Sequence, residues 1–312
     1  MVCLGETMVV LRPADGDSLG RQRQVAVGVG GAESNVACGL AGLGHRAAWV
    51  GRVGADPWGW RVLDEIGRRG VDVSAAETDP ERPTGVYFKD PGADRTRTYY
   101  YRRGSAASAM GPGFAKHPLL ASARLLHLSG ITAALSATCA DLLTDLVVRR
   151  SVPGPAVSFD VNHRPALWRD HPADAAPTTL LALARAADIV FVGRDEAENL
   201  WGTGSADEIR DLLRPAGVLV VKDAGHGATA YGADGTDRTG VFVPAPDSPV
   251  VERVGAGDAF AAGYLAGLLE GRDATAGLRL GHLMAAATLG IHEDIPTVLD
   301  RGRVDQLFPP DV

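Results

Sequence analysis

A chain of 312 residues that is 46% hydrophobic and 22% charged carries enough Val, Leu, Ala and Ile to bury a large interior, which argues against intrinsic disorder. Thirty-one basic residues stand against thirty-eight acidic ones, for a net charge of -7, and no block of Lys and Arg is long enough for a nucleic-acid or anionic-membrane footprint. The partner expected is a small molecule, and Cys3, Cys38 and Cys139, odd in number and far apart, suggest neither a disulfide framework nor a zinc cluster.

In chain order, the sequence opens on a strand-like run, Met1 to Gly5, with no basic and apolar leader ahead of it. Apolar stretches such as Val218 to Val221 and Leu283 to Ile291 are too short to span a bilayer, so a soluble cytoplasmic protein is expected. Arg21 to Val29 and Gly85 to Arg103 read as extended, partly polar strands. They predict a small β-sheet lid from segments of about 12–29 and 84–104, joined to the body through Pro13 to Gly20 and Pro80 to Pro83. From Leu125 onward, apolar runs at Leu125 to Leu128, Ala156 to Val161, Ile189 to Val192 and Val218 to Val221 alternate with helical patterns. Those helices are expected over Ser136 to Arg149, Ala173 to Ala187 and Ala206 to Leu213. The prediction is one α/β domain over residues 1–312, with a central, mostly parallel sheet flanked by helices.

The chemistry concentrates at Gly255-Ala256-Gly257-Asp258, which runs directly into the apolar stretch Ala259 to Ala266. Small residues entering a helix leave its first amides bare, and those amides with the helix dipole make a site for an anion. Asp258 falls in the first turn, where it can accept the proton of an attacking hydroxyl; an ordinary pKa would keep it ionised at neutral pH. The alternative is that the glycines serve helix packing and Asp258 is an N-cap.

With that motif in place, the chain resembles the ribokinase-like (PfkB) sugar kinases along essentially its whole length. A second shared segment is Gly30-Gly31-Ala32-Glu33-Ser34-Asn35-Val36-Ala37, continued by Val53 to Gly59. The resemblance implies a ribokinase-like fold, Asp258 as base with an anion hole at Gly255, Ala256 and Gly257, and sugar contacts from Gly30, Gly31 and Asn35. Within that family the likeness is to the 2-keto-3-deoxygluconate kinases. It rests on Tyr99 to Ala106, His127 to Thr132, and Asp160-Val161-Asn162-His163-Arg164-Pro165. It implies phosphorylation of the 6-hydroxyl of a sugar acid, with Tyr87, Tyr100, Arg102 and Arg164 lining the pocket. Guanidinium forks suit a carboxylate, so Arg102 and Arg164 are the expected readers of the acid. Otherwise Arg102 and Arg103 are solvated charges on an exposed strand and Arg164 a surface loop residue.

The donor side departs from the family pattern. The resemblance assigns nucleotide contacts to Lys222, Gly225, Gly227 and His282, and a magnesium-side carboxylate to Glu196. Yet Asp223 and Ala224 stand where a basic residue and a glycine are usual, Gly193 replaces an Asn, Glu252 an Asp, and His282 an Asn. Glu196 could equally be a solvated residue on the helix running to Trp201. ATP and Mg²⁺ are the implied cofactors, a monovalent cation is left open, and a homodimer or higher homo-oligomer formed through the lids is expected. The alternatives are a kinase of a neutral sugar such as fructose or ribose, and a catalytically silent sugar-binding member of the fold.

Overall fold

The computed structural model describes residues 1–14, 18–92, 96–214, 217–232, 239–295 and 302. Residues 15–17 and 93–95 of the two expected lid segments lie outside them. The first part of the chain gives β1 (Val2–Leu4), β2 (Met8–Pro13), β3 (Val25–Gly30), β4 (Ala48–Val50), β5 (Arg52–Gly54), β6 (Glu77–Asp79), β7 (Val86–Asp90) and β8 (Arg97–Tyr101). The rest gives β9 (Leu125–Ser129), β10 (Ala156–Asp160), β11 (Ile189–Gly193), β12 (Val218–Asp223), β13 (Gly227–Tyr231) and β14 (Val241–Pro244).

Eight strands form the main sheet in the order β14-β13-β12-β11-β10-β9-β1-β4. All neighbours from β4 to β12 run parallel, whereas β13 and β14 are antiparallel additions at one edge. The apolar runs are buried on both faces, as parallel strands must be. Successive residues divide between two cores: Leu126, Leu128, Val190, Val192, Leu219 and Val221 face one, and Leu125, Ile189, Phe191 and Val220 the other. Helices Ala32–Gly42, Pro57–Arg68, Ala256–Leu269 and Ala274–Leu289 supply the second core. Helices Ala137–Leu143, Ala175–Ala186, Arg194–Trp201 and Ala206–Leu213 supply the first.

β1 lies inside the main sheet between β4 and β9, so the first fifty residues contribute to the body as well as to the small sheet. The small sheet is four-stranded, in the order β3-β2-β7-β8, and takes in Met8 to Leu11, which the expected boundary at about residue 12 left out. β2 is buried at Met8, Val9 and Val10 in succession, so its start carries no period-two signal. An unexpected two-stranded parallel sheet joins β5 to β6. The helix expected over Ser136 to Arg149 is α-helical only to Leu143 and continues as a π-helical turn over Thr144–Val148. Cys3, Cys38 and Cys139 are buried and unpaired, and no helix among the described residues is long and apolar enough to cross a membrane.

Candidate active site

The strands of the parallel sheet end along one edge, where open α/β sheets place their ligands. Asp160 closes β10, Gly193 closes β11, and Lys222 lies one residue before the end of β12. Across from them the small sheet presents Tyr87, Tyr100 and Arg102. The space between is a cleft of about 400 Å³, within the range of a small-molecule site.

Two helix entrances meet at its floor. Gly31 precedes helix Ala32–Gly42, and its N–H donates to Asn35 Oδ1 at 3.5 Å while Asn35 Nδ2 donates to Asp258 Oδ2 at 2.8 Å. Asp258 sits in the first turn of helix Ala256–Leu269, whose N-cap Gly255 has φ of 87°, a left-handed conformation that favours glycine. Gly30 is needed for a different reason: a side chain there would run into the Tyr87 hydroxyl and the Asp294 carboxylate.

Burial pushes the Asp258 carboxyl up to about 7, helped by the negative Asp160 and opposed by the Asn35 hydrogen bond, Arg164 and Lys222. The carboxyl thus departs from the ordinary value expected from sequence, because protein replaces part of the water that would solvate the carboxylate. Lys222 Nζ donates to Asp160 Oδ2 at 2.7 Å. Burial works against its charge, but Asp160 and Glu196 outweigh it and hold the ammonium above its usual range. Glu196 is raised by burial. Its Oε2 accepts the Gly193 N–H at 2.9 Å, and its Oε1 lies 3.4 Å from Arg164 Nη1.

Of the residues singled out in the sequence, Gly30, Gly31, Asn35, Tyr87, Tyr100, Arg102, Arg164, Glu196, Lys222, Gly255, Gly257 and Asp258 all line this one cleft. Arg102 is 9% exposed and paired with Glu6, so it is no solvated surface charge; Arg103, with its side chain 91% exposed and paired with Asp170, is. Arg102 Nε is buried with no hydrogen-bond partner among the described residues. Arg164 is half exposed at the rim. Glu196 faces the cleft with a side chain only 17% exposed, rather than solvent.

Ala256, Gly225, Gly227 and His282 are not among the residues lining the cleft. Gly225 lies in the turn after β12, Gly227 opens β13, and His282 is buried, with Nε2 3.1 Å from the Val243 carbonyl. Ala224, where a glycine is usual, still takes a positive φ of 45°, a strain of about 1–2 kcal/mol for a residue with a Cβ. Asp223 pairs with Arg194 Nε at 2.8 Å, so the altered residue at 223 is matched by a cation at 194.

Sequence reasoning missed Asp160, which anchors Lys222, and Arg253, which lines the cleft and has no ion-pair partner among the described residues. Asp160 opens the quoted stretch Asp160 to Pro165, so its signal was present beside that of Arg164. No group of three or more His, Cys, Asp or Glu among the described residues is arranged to hold a metal. Glu196 and Asp160, both facing the cleft, fit a magnesium ion carried mainly on nucleotide phosphates.

A helix mouth, a carboxylate and a half-buried lysine at the carboxyl edge of an α/β sheet, faced by a small second sheet, make up the architecture of ribokinase-like carbohydrate kinases. The chain matches the pfkB family of carbohydrate kinases over residues 1–300 and belongs to that family. It is 34% identical over 303 residues to 2-dehydro-3-deoxygluconokinase of Bacillus subtilis (strain 168), covering 95% of this chain and 92% of that one. The PfkB protein of Polaromonas sp. JS666 superposes with a TM-score of 0.86 at 30% identity, covering 97% of this chain and 98% of that one. A sugar kinase of Pyrococcus horikoshii in complex with ATP shares the fold, with a TM-score of 0.84 at 21% identity, covering 98% of this chain and 97% of that one.

Proposed function

We propose that this carbohydrate kinase transfers the γ-phosphoryl group of ATP to the 6-hydroxyl of 2-keto-3-deoxygluconate or a closely related sugar acid. Asp258 takes the hydroxyl proton as the new O–P bond forms and the bond to the leaving ADP breaks. The amides of Gly255 and Gly257 and the Lys222 ammonium stabilise the charge on the migrating group, whereas the Ala256 N–H is already given to the Arg253 carbonyl at 3.4 Å. Magnesium supplies charge neutralisation on the phosphates when bound. Arg164 and Arg102 read the acid, Tyr87 and Tyr100 cover the carbon chain, and the small sheet serves as the lid.

The observation that carries this reading is the Asp258 carboxylate at the mouth of helix Ala256–Leu269, with one oxygen fixed by Asn35; burial, which raises the carboxyl to about 7, suits the role. A base is most effective when its pKa lies near the working pH. The test is nucleoside-diphosphate release across a panel of sugar acids and neutral sugars, with the wild type and Asp258→Asn side by side. Turnover of no sugar by the wild type would sink the proposal, and full turnover by the variant would sink the role of Asp258.

One observation favours a neutral sugar instead: Arg102 and Arg164 each already face a carboxylate, Glu6 and Glu196. The two readings part at Arg164→Ala. For an acidic substrate, KM should rise about tenfold or more while KM for neutral sugars stays put, since a hydrogen bond to a charged group contributes about 1.5–3 kcal/mol. An equal effect on both substrate classes would favour the neutral sugar.

The small sheet also exposes Tyr99, Tyr101 and Val25. A homodimer that pairs these faces would cover them, and light scattering should report twice the chain mass at micromolar concentration. A monomer there would refute the dimer.

A further inference from the structure

Beside the turn that opens helix Ala256–Leu269, and sharing Tyr87 and Asp294 with the cleft, lies a charge cluster whose lysine the proposed chemistry does not use. Lys89 is on β7, two residues after Tyr87, and is 2% exposed. The pleat sends both side chains to the same face. There the Tyr87 hydroxyl donates to Asp294 Oδ2 and the Lys89 ammonium donates to Asp294 Oδ1. Lys89 Nζ is also 3.4 Å from Glu252 Oε2.

The two carboxylates grip opposite sides of the turn. Glu252 Oε1 accepts the N–H groups of Arg253 at 2.8 Å and Val254 at 3.3 Å, which fixes the approach to Gly255. The Asp294 carbonyl packs directly on Gly255, so that an added Cβ there would overlap it. Without an ammonium between them, Glu252 and Asp294 would be two buried anions with no counter-charge, which must move apart or take up protons. Either response would shift the amides of the anion site.

We propose that Lys89 is a built-in monovalent cation, a positioning residue on the small sheet that bridges Glu252 and Asp294 and thereby holds the Gly255–Gly257 amides in place for the migrating phosphoryl group. The inference rests on the phosphotransfer reading above and makes the enzyme independent of free monovalent cations.

Lys89→Ala opens a space between two carboxylates that a potassium or ammonium ion can enter. The full-length wild type should turn over equally in potassium chloride and in tetramethylammonium chloride of the same ionic strength. In tetramethylammonium, kcat of the variant should fall at least about tenfold, as expected when catalytic donors are misplaced. Potassium or ammonium should restore it about fivefold or more by mass action, with KM for the sugar unchanged. Without substrates, potassium should raise Tm of the variant more than tetramethylammonium does, and leave the wild type unmoved.

A wild type that requires potassium overturns the proposal even if the variant fails to fold. So does a folded variant with undiminished kcat in tetramethylammonium, or one whose loss no cation repairs and whose Tm shows no preference among the salts. A wild type that phosphorylates no sugar defeats the functional reading instead, and the Tm comparison still decides the role of Lys89.

Discussion

The Asp258→Asn variant is expected to lose about 10²–10⁴-fold in kcat, the usual contribution of a positioned general base, while sugar binding stays close to that of the wild type. Asparagine is isosteric and its carbonyl can still accept from Asn35 Nδ2, so the floor of the cleft keeps its shape. The pH profile carries a second signature. With a pKa of about 7, the wild-type carboxylate takes up its proton just below neutrality, and kcat/KM should fall on an acidic limb centred there. The same shift links to stability. The folded-state pKa lies above that of the unfolded chain, so the folded protein keeps a proton between the two values that the unfolded chain has released. The stabilisation from that proton is complete below the unfolded value and is lost as pH rises through about 7. Asp258→Asn removes this loss, so its Tm relative to the wild type should climb as pH rises from 4 to 7 and level off above, a trend that thermal melts across pH would check. Because the side chain is only half buried at the cleft floor, water tempers the size of the gain. A flat difference would mean that the carboxyl titrates normally and that its value as a base at neutral pH has another origin.

How much of this could be read in advance depends on whether a signal is local. β9 to β11 were legible because each is a short apolar run buried on both faces and followed by a helical pattern, and β12 because the same kind of run follows the last of those helices, so length and punctuation mark them without tertiary context. The central position of β1 was not, because three residues give no period and nothing local says which strands flank them. The glycines at 30, 31, 255 and 257 were legible since close approach and bare amides impose a residue type. Their meeting with Asn35 and Asp258 followed only from the family resemblance, across 223 residues of sequence separation. The partnership of Asp160 with Lys222 was hidden because β11 lies between their strands, and pairing rules relate only neighbours. Lys89 fell within Gly85 to Arg103, a stretch legible only as an extended, partly polar strand. Its burial between Glu252 and Asp294 is a property of how the small sheet docks, to which period-two alternation is blind.

Gly255→Ala should be the most damaging single change to the anion site, whereas Gly257→Ala, two residues on, should leave the fold intact. At Gly255 the backbone φ of 87° costs a residue with a Cβ about 1–2 kcal/mol. The new methyl would also overlap the Asp294 carbonyl oxygen, a backbone atom that cannot swing aside as a side-chain tip can. The turn and the segment around Asp294 must separate, and the Glu252, Lys89 and Tyr87 contacts that converge there are disturbed together. Tm should drop by several degrees, and kcat by about 10²–10³-fold, the loss found when one oxyanion donor is removed. At Gly257 an added Cβ would meet nothing nearer than Lys222 Nζ at 3.7 Å. The fold has room for it, and the methyl lies in the space between the first helical amides and the Lys222 ammonium. If a phosphoryl group passes through that space, Gly257→Ala keeps its Tm and loses kcat. Full activity in that variant would move the path of the phosphoryl group elsewhere, and an unchanged Tm in Gly255→Ala would mean that the turn is not locked by Asp294.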